Sequence, residues 1–461
     1  MSVRSNSFKK NTILLLCGTI LNKGVQFLVV PLFSRWLSAE EYGRFDLFYT
    51  YVLLLIPVIT LSTHEAMFRY GVEENNYFEK RKIISGGIIL VGFNFFIVTI
   101  VSLPLLWKWE TSVYLCFMMY LITELFATYL RGYLRAIKKL DIYSFAMIIS
   151  TIAMAIAVTL LVYIYDFGFV GIMTGYTIGT LVGNIVICIW SNWFSMLSFG
   201  KESVREIERL IKYALPLVPN DISWWVMNAS DRHIINVYFG DFANGIYAIA
   251  HKIPALCSVI FNMFSISWQQ EVIEKIEDSE HNNYFNSVFN KMLVLLLSFC
   301  SCLLSGSWIL YFFVFDMKYF RGIQYTPILI ASAVVMALSQ FLGGIQIALK
   351  KPRENGITTV VGAICNVFFH LLIIEWLGLY AAAISTFIAN IVIFVLRVYL
   401  LKGYYKISIE KNTWIVIGIF TYFFVMTYQT SLLTLNAINV CMAIVLFLWF
   451  NKSIIRMILT K

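Results

Sequence analysis

The stretch IISGGIILVGFNFFIVTIVSLPL, Ile83 to Leu105, runs for 23 residues without one ionisable side chain, between Arg81-Lys82 on one side and Lys108 on the other. As a helix rising about 1.5 Å per residue it spans roughly 34 Å, enough to cross the hydrocarbon core of a bilayer. Runs of this kind fill the chain. They predict about fourteen helices, near 11–36, 45–64, 83–105, 112–131, 142–165, 167–190, 213–236, 243–268, 289–314, 325–349, 356–375, 379–401, 412–429 and 432–451. The break inside 142–190 is placed at Tyr165-Asp166-Phe167-Gly168. No stretch is left over for a soluble domain. With 60% hydrophobic residues, 13% charged residues and a mean hydropathy of +0.78, the chain is far from a soluble domain, where about a quarter of residues are charged. The expected fold class is an all-α polytopic membrane protein.

Charge gives the orientation. With the N-terminus inside, the inner segments hold 27 of the 35 Lys and Arg, among them Lys9, Lys10, Lys138, Lys139, Lys350, Lys351 and Lys402. The outer loops hold six: Arg35, Arg44, Lys108, Arg232, Lys318 and Arg321. The positive-inside rule then puts both termini in the cytoplasm of a cell membrane. The net charge of +9 needs no nucleic-acid partner, because these cations meet anionic lipid headgroups. The N-terminal apolar run continues past Lys23 to Trp36 without a small-residue cleavage site, so it reads as an uncleaved first helix. All eight cysteines fall in expected helices as packing residues, with no CxxC signature.

Internal echoes point to a duplication. Leu37-Ser38-Ala39-Glu40-Glu41-Tyr42-Gly43 matches Phe239-Gly240-Asp241-Phe242-Ala243-Asn244-Gly245 in position, Lys138-Lys139 matches Lys350-Lys351, and Asn184-Ile185-Val186-Ile187 matches Asn390-Ile391-Val392-Ile393. Three echoes in one order imply two six-helix lobes, 1–200 and 213–405, joined by an amphipathic linker at 201–212 and followed by two helices and a tail at 406–461. Two such lobes facing each other would enclose a cavity.

An ionisable side chain deep in a span costs roughly 2.5–3.5 kcal/mol and is a functional candidate for that reason. Lys23 and Lys252 are deep cations, with snorkelling or an ion pair as the structural alternative. Arg35 and Arg232 sit nearer the outer interface, where structural and functional readings balance. Together these four form the expected cationic, substrate-binding lumen. Glu124, Asp221 and Asp231 are the candidates for ion coupling, to H+ or Na+, with helix-packing polarity as the alternative. His64-Glu65 has no second His at ligand spacing, His370 stands alone, and no metal or other cofactor is expected. No GxxxxGK[ST] or GxSxG motif occurs, which excludes an ATPase in this chain and argues against an enzyme.

The run Pro31-Leu32-Phe33-Ser34-Arg35-Trp36-Leu37-Ser38-Ala39-Glu40-Glu41-Tyr42-Gly43 resembles the helix 1–2 signature of polysaccharide-biosynthesis membrane proteins, the O-antigen-type (Wzx-like) flippases. Asp231-Arg232-His233-Ile234-Ile235 with Gly240, Gly245-Ile246-Tyr247, Ala250 and Lys252 is similar to that family's pattern at helices 7–8. In helix count and repeat order the resemblance spans the chain; residue by residue it is limited to these two blocks. It implies the multidrug/oligosaccharidyl-lipid/polysaccharide exporter superfamily, two lobes in alternating access, and a polyprenyl-diphosphate-linked oligosaccharide moved from inner to outer leaflet. Other export or polymerisation proteins are the expected partners. The competing expectations are an ion-coupled multidrug exporter, a membrane polymerase or glycosyltransferase, which needs a large outer loop this chain lacks, and a non-catalytic scaffold.

The orientation is checked with single cysteines in a cysteine-free background. Lys138→Cys and Lys350→Cys should resist an impermeant maleimide in intact cells and react in inverted vesicles, and Lys108→Cys should do the reverse.

Overall fold

A computed structural model describes residues 29–74, 76–198, 200–276, 280–429, 433–452 and 456. Lys23, Cys17 and most of the first expected helix lie outside the described residues. The regular structure among them is helical. We number α1 (29–36), α2 (Ala39–Thr60), α3 (Thr63–Glu73), α4 (Tyr77–Ser102), α5 (Thr111–Ala136), α6 (Leu140–Val158), α7 (Gly168–Trp190), α8 (Lys201–Ala214) and α9 (Val218–Ala250). Then follow α10 (Lys252–Lys275), α11 (His281–Ile309), α12 (Thr326–Ala348), α13 (Pro352–Leu377), α14 (Tyr380–Leu401), α15 (Lys411–Gln429) and α16 (Leu433–Phe450). Among the described residues, nine helices are long and apolar enough to cross a membrane, and ten if the bent pair at Ala250–Lys252 counts as one. The chain divides into two units, Met1–Trp225 and Val226–Lys461, with the boundary inside α9.

Most of the described residues of each expected segment are helical, and the differences have local causes. The segment expected from 45 starts at Ala39. The Ser38 Oγ accepts the Glu41 N–H at 3.1 Å and the Glu41 carboxylate accepts the Ser38 N–H at 2.9 Å, a capping box that starts the helix among charges a hydropathy reading discards. Leu61 and Ser62, both left-handed, then separate α2 from α3. The break inside 142–190 falls where expected: a π-helical turn, Thr159–Ile164, follows α6, and Asp166 and Gly168, the first residue of α7, take positive φ. The 201–212 segment forms α8, which packs on α3 and α4 and is tied there by Lys82, paired with Glu79 at 2.7 Å and Glu202 at 2.5 Å.

The sequence echoes have structural counterparts in each unit. Lys138 and Lys350 both take left-handed conformations, φ 61° and 59°. Lys139 N–H bonds to Leu134 O at 3.0 Å, as Lys351 N–H does to Gln346 O at 2.9 Å, while Lys138 and Lys350 N–H reach Arg135 O and Ile347 O. Both are Schellman-type helix ends. Asn184, buried in α7, donates to Thr123 O of α5 at 2.9 Å. Asn390, buried in α14, donates to Ser332 Oγ of α12 at 2.9 Å. Two of the three echoes are therefore shared devices: a stop in one case, an interhelical tie in the other.

Between apolar helices in lipid no hydrophobic force acts, so close approach of small residues has to hold them. In the first unit α7 carries Gly171, Gly175, Gly179 and Gly183, four residues apart and hence on one face. A Cβ at Gly175 would stand 2.4 Å from Val158 Cγ2, and one at Gly179 would stand 2.4 Å from Met154 Cβ. This seam clamps α6 to α7. Opposite faces meet lipid: α4 exposes Phe93, Phe96 and Val101.

Gly179→Leu should lower stability by about 1–3 kcal/mol through overpacking. Gly418→Leu, where no atom lies within 4 Å of the added Cβ, should not; a thermal-shift assay in detergent separates the two.

Candidate functional site

Each unit carries a polar site inside its span. In the first, three helices turn one stripe each toward a common cavity. From α5 come Tyr120, Glu124, Ala127 and Arg131, from α6 Tyr143, Met147, Ser150 and Met154, and from α7 Tyr176, Thr180, Gly183 and Ile187. Every set runs at i, i+4, i+7, i+11, the spacing of one helix face. Tyr49 of α2 completes the wall. The space between these walls is about 730 Å³ with the open solvent at its mouth included.

Its charges are balanced. The Arg131 Nη2 stands 3.1 Å from Glu124 Oε1 and donates to Thr128 Oγ1 at 2.7 Å. Both side chains keep partial exposure, 32% for Arg131 and 16% for Glu124, so the pair looks into the cavity. Pairing on one helix face offsets the cost of placing either charge in a span. Above it, Tyr49, Tyr120 and Tyr176 form a cluster. Tyr49 and Tyr120 stack at 6.3 Å, and Tyr176 meets each edge-on at 6.1 Å. The cavity runs from mid-helix toward the Lys138-Lys139 turn that joins α5 to α6.

Asp221 lies elsewhere in the same unit. Its Oδ2 accepts from Ser62 Oγ at 2.7 Å, at the break between α2 and α3, and His64 lies within electrostatic reach of it and of Arg131. Glu65 is paired with Arg135 at 2.8 Å. Among the described residues no three His, Cys, Asp or Glu side chains gather to hold a metal ion.

In the second unit the polar site is closed. Asp231 and Arg232 are buried at 3% and 7% exposure. The Arg232 Nη1 lies 2.9 Å from Asp231 Oδ1 and donates to Asn228 O at 2.5 Å. Tyr247 is buried beside the carboxylate, and His251 and His370 are within electrostatic reach of it. Fully buried His370 on α13 has no hydrogen-bond partner for either ring nitrogen among the described residues. One helical turn away, Asn366 donates to Thr386 Oγ1 of α14 at 3.0 Å.

Of the expected lumen cations, Arg35 is exposed in the last turn of α1 in the first unit, while Arg232 and half-buried Lys252 fall in the second. Lys23 lies outside the described residues. The structure brings Asp231 and Arg232 together, and it pairs Glu124 with a residue the sequence reading passed over, Arg131. It also adds Arg397, 2% exposed on α14, bound to Ser339 O at 2.6 Å, Thr358 Oγ1 at 3.0 Å and Thr359 Oγ1 at 3.1 Å. The tyrosine stripes were missed as well. Their signal was present: polar residues recurring at helical spacing inside otherwise apolar spans.

A family model described as polysaccharide biosynthesis protein matches residues 8–268. The chain is 23% identical over 428 residues to a probable low-salt glycan biosynthesis flippase, Agl15, of Haloferax volcanii, covering 87% of this chain and 85% of that one. It is also 23% identical over 261 residues to Lsg locus putative protein 1 of Haemophilus influenzae, covering 54% of this chain and only 62% of that relative's length. Among solved structures, the lipid II flippase MurJ in an inward closed conformation aligns with a TM-score of 0.72 at 16% identity, over 97% of this chain and all 100% of that one. An inward-facing multidrug resistance MATE family transporter of the MOP superfamily aligns at 0.65 and 15% identity, over 85% and 98%. At such identities the likeness establishes the fold, which these transporters share.

Removing Arg232 alone strands the Asp231 charge, so Arg232→Ala should cost about 3–5 kcal/mol. The double variant Asp231→Asn/Arg232→Met should recover most of it in chemical or thermal unfolding of the purified protein.

Proposed function

The chain belongs to the polysaccharide biosynthesis protein family, and on that premise we propose that it is a flippase. It carries a polyprenyl-diphosphate-linked oligosaccharide from the inner to the outer leaflet by alternating access, without covalent chemistry on the substrate. The observation that carries this reading is the polar cavity with its Glu124–Arg131 pair inside a bundle of apolar spans. Lipid-facing helices have no use for such a cavity. A sugar head crossing about 30 Å of hydrocarbon needs it, because unsolvated hydroxyl groups are costly to bury.

The diphosphate calls for cations. Lys23, Arg35 and Lys252 are assigned to it as compact or fork-shaped phosphate partners. Arg232 is held by Asp231, which suggests how ion coupling could operate. A proton or sodium ion that takes the Asp231 carboxylate frees the guanidinium for the substrate, so ion and substrate exchange for the same pair. Glu124 and Asp221 are the remaining coupling candidates. Both termini face the cytoplasm in this scheme, and glycan polymerisation or export proteins are its neighbours.

Deleting the gene in the source organism should remove the surface glycan and accumulate its lipid-linked precursor, and the wild-type gene should reverse both. Lys23→Ala/Lys252→Ala at matched membrane expression should lower surface glycan about tenfold, the loss expected from charge-assisted bonds to the diphosphate. Unchanged precursor and glycan on deletion would overturn the flippase reading.

A further inference from the structure

We propose that the cavity of the first unit is a saccharide subsite: it seats a sugar ring of the transported glycan against the Tyr49–Tyr120–Tyr176 cluster, with the Glu124–Arg131 pair binding ring hydroxyls. This rests on the flippase reading and adds to it the place and chemistry of sugar recognition.

Four observations lead there. Charge comes first: the wall carries one carboxylate and one guanidinium, 3.1 Å apart. A diphosphate would call for excess cation and a cationic amphiphile for excess carboxylate; a balanced pair suits a neutral polar ligand. Shape is the second. Stripes from α5, α6 and α7 with Tyr49 of α2 wall a concave polar site, the form small-molecule sites take. The third is the mixture of surfaces. Tyrosines present an aromatic face for the C–H side of a sugar and a hydroxyl for its edge, and Thr180 and Ser150 add further hydroxyls on α7 and α6. The fourth is position and stiffness. The cavity extends toward the Lys138-Lys139 end, which the positive-inside rule places at the cytoplasm where a glycan would be loaded. Two of its walls, α6 and α7, are fixed to each other by the glycine seam, so the subsite is preorganised rather than assembled on binding.

The test uses the full-length protein in nanodiscs with two probes, undecaprenyl diphosphate alone and the lipid-linked oligosaccharide fraction extracted from the source membranes. Wild type should bind the glycosylated carrier at least tenfold more tightly than the bare one. Tyr176→Ala should bring the glycosylated carrier down to the bare carrier's affinity and leave bare-carrier binding unchanged, which also shows that the variant is folded. Should Tyr176→Ala fail to fold, Glu124→Gln, which keeps the side chain's size, should weaken the glycosylated probe about tenfold. Equal binding of the two probes by wild type, or variants that hold the glycosylated carrier as wild type does, overturns the subsite while the flippase reading stands. Wild type that binds neither probe overturns both.

Discussion

In hydrocarbon, helices gain nothing from burying apolar surface against each other, so the close seam between α6 and α7 sets the first unit's geometry. Gly171, Gly175, Gly179 and Gly183 let the two backbones approach until a single added methyl group would collide with Val158 or Met154. The seam and the cavity share an edge, with Gly183, Ser150 and Met154 belonging to both, and the polar stripes run along it. The cavity follows from where the glycines stop the helices from rotating.

Charge inside the spans is managed by three separate solutions. Glu124 and Arg131 pair two turns apart on one helix and stay partly exposed, so they remain available to a ligand. Asp231 and Arg232 pair while buried, which makes them available only when one partner is neutralised or displaced. Arg397 takes neutral oxygens from α12 and α13 and serves as a brace. The same residue type thus does three jobs, decided by which groups its guanidinium touches.

The two units reuse devices at equivalent places. A Lys in left-handed conformation closes α5 and α12, and a buried Asn ties α7 to α5 and α14 to α12. They part company in their polar content: an open cavity rimmed by tyrosines in one, a sealed Asp–Arg–His–Tyr cluster in the other. These devices are common to both units, and the differing side chains give each unit its own chemistry.

The sequence by itself determined what depends on solvent and on neighbours along the chain. Segment length and the absence of charge marked the spans, because transfer into lipid depends on each segment's own composition, while Lys and Arg placement and the three echoes gave the expected orientation and repeat. Even the early start of α2 was written in Ser38 and Glu41, whose capping box is local. Tertiary structure decided which charges meet. Glu124 could be read as a lone carboxylate until Arg131 was seen to fold back onto it, and Arg232 is found paired with Asp231. Tyr49, Tyr120 and Tyr176 come from three helices far apart in sequence. Their meeting depends on helix rotation, and helix rotation depends on packing between segments, which no single segment's composition contains.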